Sequence, residues 1–301
     1  MSGVGVPGAK RPPDGSTGPS SGRVDVTAAA KPRPRSEVLL RLLRPLTDAL
    51  VGVLGRWGVD PLAIVLTHAT LGLLGAAAIA LGPAGWWWAA GLLLVKMLLD
   101  NLDGGVARAT GRVTRMGRYL DSVLDLLVNV ALFAALALHG PGGWSWPLAA
   151  AAALTLMLVL SLDFNMEQRY KALRSDAAGP EVDEPIGAPL PLYLSVKGVY
   201  DAVLAPQDRS IARLDDGLFA TLTGYERASA PLDVRLAWSD LFSTASLVNL
   251  GLSTQLLVLG VCLALAQPFA YVWFVLACGA YALALQAVRV LRLRRYLEAR
   301  S

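Results

Sequence analysis

The sequence is poor in the residues that build disulfide frameworks and zinc sites, with two cysteines and two histidines in 301 residues. Cys262 and Cys278 fall inside apolar runs, make no C-x2-C or Cys/His spacing, and read as small buried hydrophobes. Charge is scarce as well: 17% of residues are Asp, Glu, Lys or Arg, where a soluble domain carries roughly 25%. An ordinary soluble enzyme is thereby excluded. The N-terminal stretch has no apolar core of the signal-peptide type, so nothing predicts cleavage or secretion.

Apolar residues make up 54% of the chain and are gathered in long runs. A helix crosses a bilayer with about 20 such residues. The expected fold is therefore an all-α integral membrane protein with six transmembrane helices. The net charge of +4 does not imply nucleic acid as a partner. The Lys and Arg residues cluster beside the apolar runs, where they set topology and touch the headgroups of membrane lipids.

Residues 1–35 are rich in Gly, Pro, Ser and Ala and carry Lys10, Arg11, Arg23, Lys31, Arg33 and Arg35, which predicts a disordered basic tail. Over 36–57, Leu39, Leu43, Leu46, Leu50, Leu54 and Trp57 recur at helical steps, predicting an amphipathic interfacial helix. Residues 58–163 hold four expected spans: Pro61 to Leu81, Gly85 through Leu99, Arg118 to Leu138, and Trp144 to Leu162. Trp86, Trp87 and Trp88 sit at the outer end of the second, where aromatic rings favour the interface. Residues 164–238 have soluble composition and read as a cytoplasmic insertion, with short helices expected near 194–204 and 209–222. Residues 239–301 hold the fifth span, Ser246 to Ala266, the sixth, ending near Val290, and a basic C-terminus. The turns near 82–85, 139–145 and 266–269 contain no Lys or Arg, whereas the segments on the opposite side do. The positive-inside rule then places both termini and the cytoplasmic motif on the inner face of the cell membrane.

The informative stretch is DNLDGGVARATGRVTRMGRYLDSVLD, residues 100–125. Asp100 and Asp103 are three apart, and Asp121 and Asp125 four apart, so each pair shares a helix face. A short connection makes the two helices antiparallel neighbours, and the acidic faces converge near the inner membrane surface. Ionised side chains there repel one another and are costly in a membrane. Arg108, Arg112, Arg115 and Arg118 can neutralise part of the charge. A hard divalent cation, Mg2+ or Mn2+, does so with the oxygen ligands it prefers, and two ions could be held. Gly104, Ala107 and Gly117 keep the neighbouring turns narrow enough for a flat ligand to approach the backbone.

The pattern D-x2-D-G-x2-A-R-x8-G-x3-D-x3-D resembles the signature of the CDP-alcohol phosphotransferase (CDP-alcohol phosphatidyltransferase) family, with Asp100, Asp103, Gly104, Ala107, Arg108, Gly117, Asp121 and Asp125 at its fixed positions. The resemblance covers roughly 38–163 and 240–295. It implies that Asp100, Asp103, Asp121 and Asp125 hold two ions, and that Asp125 is the general base toward the acceptor hydroxyl. It also implies a cytidine nucleotide site at Asp103, Gly104, Ala107, Arg108, Gly117 and Asp121. The implied reaction transfers a phosphatidyl group from CDP-diacylglycerol to a polar alcohol with release of CMP, in phospholipid biosynthesis, and the resemblance implies a homodimer. Many relatives carry a basic residue after the last aspartate, where this chain has Leu126. A soluble CDP-alcohol donor with a lipid acceptor is the alternative within the family. Outside it, an intramembrane prenyltransferase would also use aspartates to hold magnesium diphosphate. Acids at the cytoplasmic helix ends argue against a transporter, whose sites lie near the midplane.

Four further residues are candidates for substrate contact: Lys96, Arg118, Asn165 and Arg169. Lys96 is a cation inside an apolar run, four residues before Asp100, and either pairs there or snorkels toward water. Thr67 and His68, in the first span, read as packing or local hydrogen bonding, with a ligand role as the alternative.

Overall fold

The computed structural model describes residues 38–174 and 185–300. The expected disordered tail lies outside the described residues, as do residues 175–184 of the insertion. Ten helices follow in order: α1 (Val38–Arg56), α2 (Pro61–Ala80), α3 (Pro83–Ala109), α4 (Arg115–Ala137), α5 (Ser145–Arg174), α6 (Leu190–Thr223), α7 (Leu232–Trp238), α8 (Leu241–Val248), α9 (Leu252–Ala264) and α10 (Ala270–Glu298). No strand occurs among the described residues.

Five segments of the described residues are long and apolar enough to cross a membrane: α2, α4, α5 with the turn before it, the run Leu232–Ala264, and α10. The chain is thus a multi-pass membrane protein. The expected second span, α3, is not among the five. Three tryptophans, Lys96 and Asp100 dilute its apolar character, although it packs along α2 and α9 inside the bundle. The expected fifth span is broken. α8 ends at Val248 and α9 begins at Leu252. At the break, Asn249 donates to Ala245 O at 2.7 Å and accepts from Val38 N at 3.0 Å, docking the start of α1.

The two short helices expected in the insertion are a single one, α6, which passes through Pro206. An interior proline removes a helical hydrogen bond and costs about 3 kcal/mol. Contacts to α5 offset that cost: Gln207 donates to Met157 O at 2.7 Å, Ser161 donates to Asp208, and Asn165 donates to Asp208 O at 3.3 Å.

The core lies between α2, α3, α4, α5, α9 and α10, where Ile79, Leu93, Leu136, Leu156, Leu259 and Val272 are buried. The α2–α3 hairpin is tight. Gly82 turns it at φ +85°, and a Cβ on Gly85 would stand 2.0 Å from Ala78 O. Only glycine permits that approach, and it fixes the register in which α3 runs beside α2 to the acidic motif.

Candidate active site

The whole of Asp100 to Ala109 is helical, as the last turns of α3. The connection to α4 is short. Gly111 turns at φ +67°, and Thr114 caps α4 by accepting from Gly117 N at 3.1 Å. Two further free amides at that helix start are taken by the insertion: Arg115 N donates to Pro185 O and Met116 N to Ile186 O, both at 3.0 Å. Gly187, at φ +76°, lies flat against Thr114, where a Cβ would come within 2.5 Å. The insertion therefore seals the start of α4 one turn ahead of Asp121.

α3 and α4 bring their acids together as their spacing predicts. Asp100, Asp121 and Asp125 each offer an oxygen to a group whose donor atoms all lie within 4.8 Å of one another. The fourth member is not Asp103 but His68, from α2. Asp103 stands outside this group, and its Oδ1 accepts from the Gly104 amide. His68 is wholly buried, with Nε2 3.4 Å from Asp121 Oδ1 and 3.8 Å from Asp100 Oδ1. His68 is thus packed in the interior beside the acids, and Thr67 makes the local bond expected, donating to Ala63 O at 2.7 Å. An ionisable residue inside an apolar span is by default a site candidate, which is the signal His68 gives in the sequence.

Lys96 turns inward rather than toward water. Its Nζ is 2.8 Å from Asp125 Oδ1 and 3.6 Å from Asp100 Oδ1, with the side chain 1% exposed. Its stem crosses Gly72 of α2, where a Cβ would meet Val128 at 2.6 Å and Lys96 Cδ at 3.1 Å. One buried ammonium thus faces carboxylates from two helices, with an imidazole beside them. Such a site is suited to a cation.

Asn165 and Arg169 belong to a different constellation. Asn165 donates to Ser161 O and Asp208 O. Arg169 donates to Asp215, to Asp216 at 3.0 Å and to Ala212 O at 2.9 Å. Asp215 of α6 also receives Arg227 at 2.7 Å, Arg289 at 2.9 Å and the Trp238 indole at 3.2 Å. Burial by itself would raise the Asp215 carboxyl, but Arg289, Arg169, Arg227 and Trp238 outweigh it and hold the carboxyl below its usual range. Nearby, burial pushes Asp208 up, opposed by the Ser161 hydroxyl. These contacts clamp α6 to α5 and α10. Arg118 is exposed on the first turn of α4, and Gly104 and Ala107 are half-buried on α3.

Residues 61–205 match the family model for CDP-alcohol phosphatidyltransferase. Those residues are a CDP-alcohol phosphatidyltransferase domain. The family match stops before α9 and α10, which the sequence reading included, and takes in the first half of α6, which it did not. Curated relatives agree with the assignment. A phosphatidylinositol phosphate synthase of Cutibacterium acnes is 36% identical over 107 residues, 34% of this chain and 48% of its own length. A bifunctional IPC transferase and DIPP synthase of Aquifex aeolicus is 51% identical over 53 residues, 18% of this chain and 12% of its own. An archaetidylinositol phosphate synthase of Pyrococcus horikoshii is 45% identical over 53 residues, 18% of this chain and 28% of its own. The chain thus spans about half the length, or less, of these relatives.

Proposed function

We propose that this protein is a metal-dependent phosphatidyltransferase of phospholipid biosynthesis, moving a phosphatidyl group from CDP-diacylglycerol to a polar alcohol and releasing CMP. The observation that carries the reading is the convergence of Asp100, Asp121 and Asp125 from two adjoining helices of a CDP-alcohol phosphatidyltransferase domain. Two of these relatives, named for inositol phosphate lipids, make a phosphorylated inositol the first acceptor to try.

The donor set fits a divalent cation: several carboxylates and one imidazole lie close together, and His68 Nε2 and Asp121 Oδ1 are buried without hydrogen-bond partners. Asp100, Asp121 and Asp125 would hold it, with Asp103 joining through a turn of its side chain. When bound, Mg2+ or Mn2+ would neutralise charge on the diphosphate and on the leaving CMP. Asp125 takes the proton from the acceptor hydroxyl as its oxygen attacks the phosphorus bearing the diacylglycerol. The bond from that phosphorus to the CMP oxygen breaks, and a phosphodiester forms. Lys96, 2.8 Å from its Oδ1, holds Asp125 in place. Gly104 and Ala107 leave room for cytidine beside α3, with Arg108, Gly117 and Asp103 at its edge. The seating of the site at the cytoplasmic ends of six spans, both termini inward, and a homodimer complete the proposal.

The test is CMP release by the full chain in detergent, with labelled CDP-diacylglycerol, Mg2+ or Mn2+, and a panel of alcohols that includes inositol phosphate. Turnover abolished by chelator is the expected result. Activity only with a soluble CDP-alcohol and a lipid hydroxyl would reverse the roles of donor and acceptor. Turnover of an isoprenoid diphosphate without CMP chemistry would overturn the reading.

A further inference from the structure

An imidazole with neither ring nitrogen satisfied is expensive inside an apolar helix. His68 is 0% exposed, and Nδ1 and Nε2 both lack a hydrogen-bond partner among the described residues. A buried polar group left so costs about 1–3 kcal/mol. Asp121 Oδ1, 3.4 Å from Nε2, is likewise buried and unpartnered. At 3.4 Å a direct bond between these two atoms is long and weak, and an ion between them would satisfy both. Ligands about 2.0–2.2 Å from one ion stand about 3.0–4.2 Å from each other, from adjacent to opposite positions. The separations of Nε2 from Asp121 and Asp100, 3.4 and 3.8 Å, fall within that span.

We propose that His68 supplies a nitrogen ligand to the cation held by Asp100, Asp121 and Asp125, and that this nitrogen biases the site toward Mn2+ over Mg2+. The inference rests on the metal reading above and goes beyond it. Magnesium is bound by oxygen and gives up water reluctantly, whereas imidazole suits first-row transition ions. A mixed set of one nitrogen and several oxygens thus penalises Mg2+ more than Mn2+. His68 sits on α2, one helix away from the acidic motif, so the preference is set by a residue outside that motif.

The chain has two histidines, which makes the ligand directly readable. The other, His139, follows α4 at the far end of α2, with Nε2 2.8 Å from Ile79 O and its ring edge-on to Trp86. The full chain labelled with 15N in the histidine imidazoles is purified in detergent, loaded with Mn2+ alone, and examined by pulsed electron paramagnetic resonance. The expected result is a 15N hyperfine coupling that disappears in His68→Gln and His68→Ala. The excess of Mg2+ needed to displace Mn2+ should fall about tenfold or more in either variant. Mn2+ that binds without 15N coupling sinks the inference and leaves the metal reading standing. Failure of Mn2+ to bind at all sinks both. Should the variants misfold, the labelled wild-type protein decides the matter alone.

Discussion

Lys96 on α3 reaches across to α4 and sets its Nζ 2.8 Å from Asp125 Oδ1, with the lysine side chain almost wholly buried. Removing one partner of a buried pair leaves the other charge uncompensated, at a cost of about 3–5 kcal/mol. Lys96→Met should therefore lower the unfolding temperature and cut CMP release by more than tenfold, about 1.4 kcal/mol in barrier height or beyond. Lys96→Arg should not rescue it, because the lysine stem passes through the slot left by Gly72. Thermal unfolding and turnover of the three proteins check both points. Full activity in Lys96→Met would show that Asp125 needs no ammonium beside it.

Asp125→Asn removes a proton acceptor and keeps the shape. A positioned base contributes about 10²–10⁴-fold, so CMP release should fall by at least the lower figure while elution volume and helicity stay unchanged. Wild-type turnover by this variant would end its assignment as base.

Most of this site was legible in the sequence, for a physical reason. Carboxylates at steps of three and four share a helix face, and a short connection forces that face onto its neighbour, so Asp100, Asp121 and Asp125 had to meet. That His68 meets these acids was not legible. Its approach depends on how α2 lies against α3 and α4, which Gly85 sets through a close backbone contact with Ala78 and Gly72 through the side chains of Val128 and Lys96, and no local pattern encodes either. The bundle followed from apolar run length. The insertion did not, because Pro206 argues for a break, whereas contacts with Met157, Ser161 and Asn165 of α5 support α6 through it. Asn165 and Arg169, candidates because they follow a span, are tied into the fold: Asn165 donates to Ser161 O of α5 and Asp208 O of α6, and Arg169 to Asp216 of α6.

Gly104 separates a binding role from a folding role. A Cβ there would meet only the flexible end of Arg108, at 3.2 Å. Alanine is also better than glycine in a helix by about 0.8–1 kcal/mol. Gly104→Ala should then be as stable as the wild type or slightly more so, with KM for CDP-diacylglycerol raised severalfold or turnover lost. A variant both stable and fully active would remove Gly104 from the nucleotide pocket.

The Asp215 clamp predicts how stability depends on pH. Its carboxyl sits below its ordinary range in the folded protein, so the unfolded chain binds the proton more readily. Its contribution is therefore complete above the unfolded value, about 3.9, and fades as pH falls through the folded one. Asp215→Asn should flatten the loss of thermal stability between pH 5 and pH 3, since the amide does not titrate. It should also unfold at lower temperature near pH 7, because Arg169, Arg227 and Arg289 then lose the carboxylate they share. An unchanged acid limb in this variant would show that other carboxylates govern it.

Gly187 ties the insertion to α4, which carries Asp121 and Asp125, and its substitution tests whether that contact matters for turnover. At φ +76° alanine is strained, and its Cβ would come within 2.5 Å of Thr114, the residue that caps α4. Relieving the clash requires the 185–187 segment to lift, which frees the amides of Arg115 and Met116. Loss of a cap and its flanking bonds costs about 0.5–2 kcal/mol, and the first turn of α4 loosens one turn before Asp121. Gly187→Ala should accordingly speed amide hydrogen exchange over residues 114–120 and reduce turnover severalfold, with exchange across α9 and α10 unchanged. Faster exchange with intact turnover would mean that the α4 start can fray without disturbing the carboxylates. Slower exchange would contradict the packing of Gly187 on Thr114 itself.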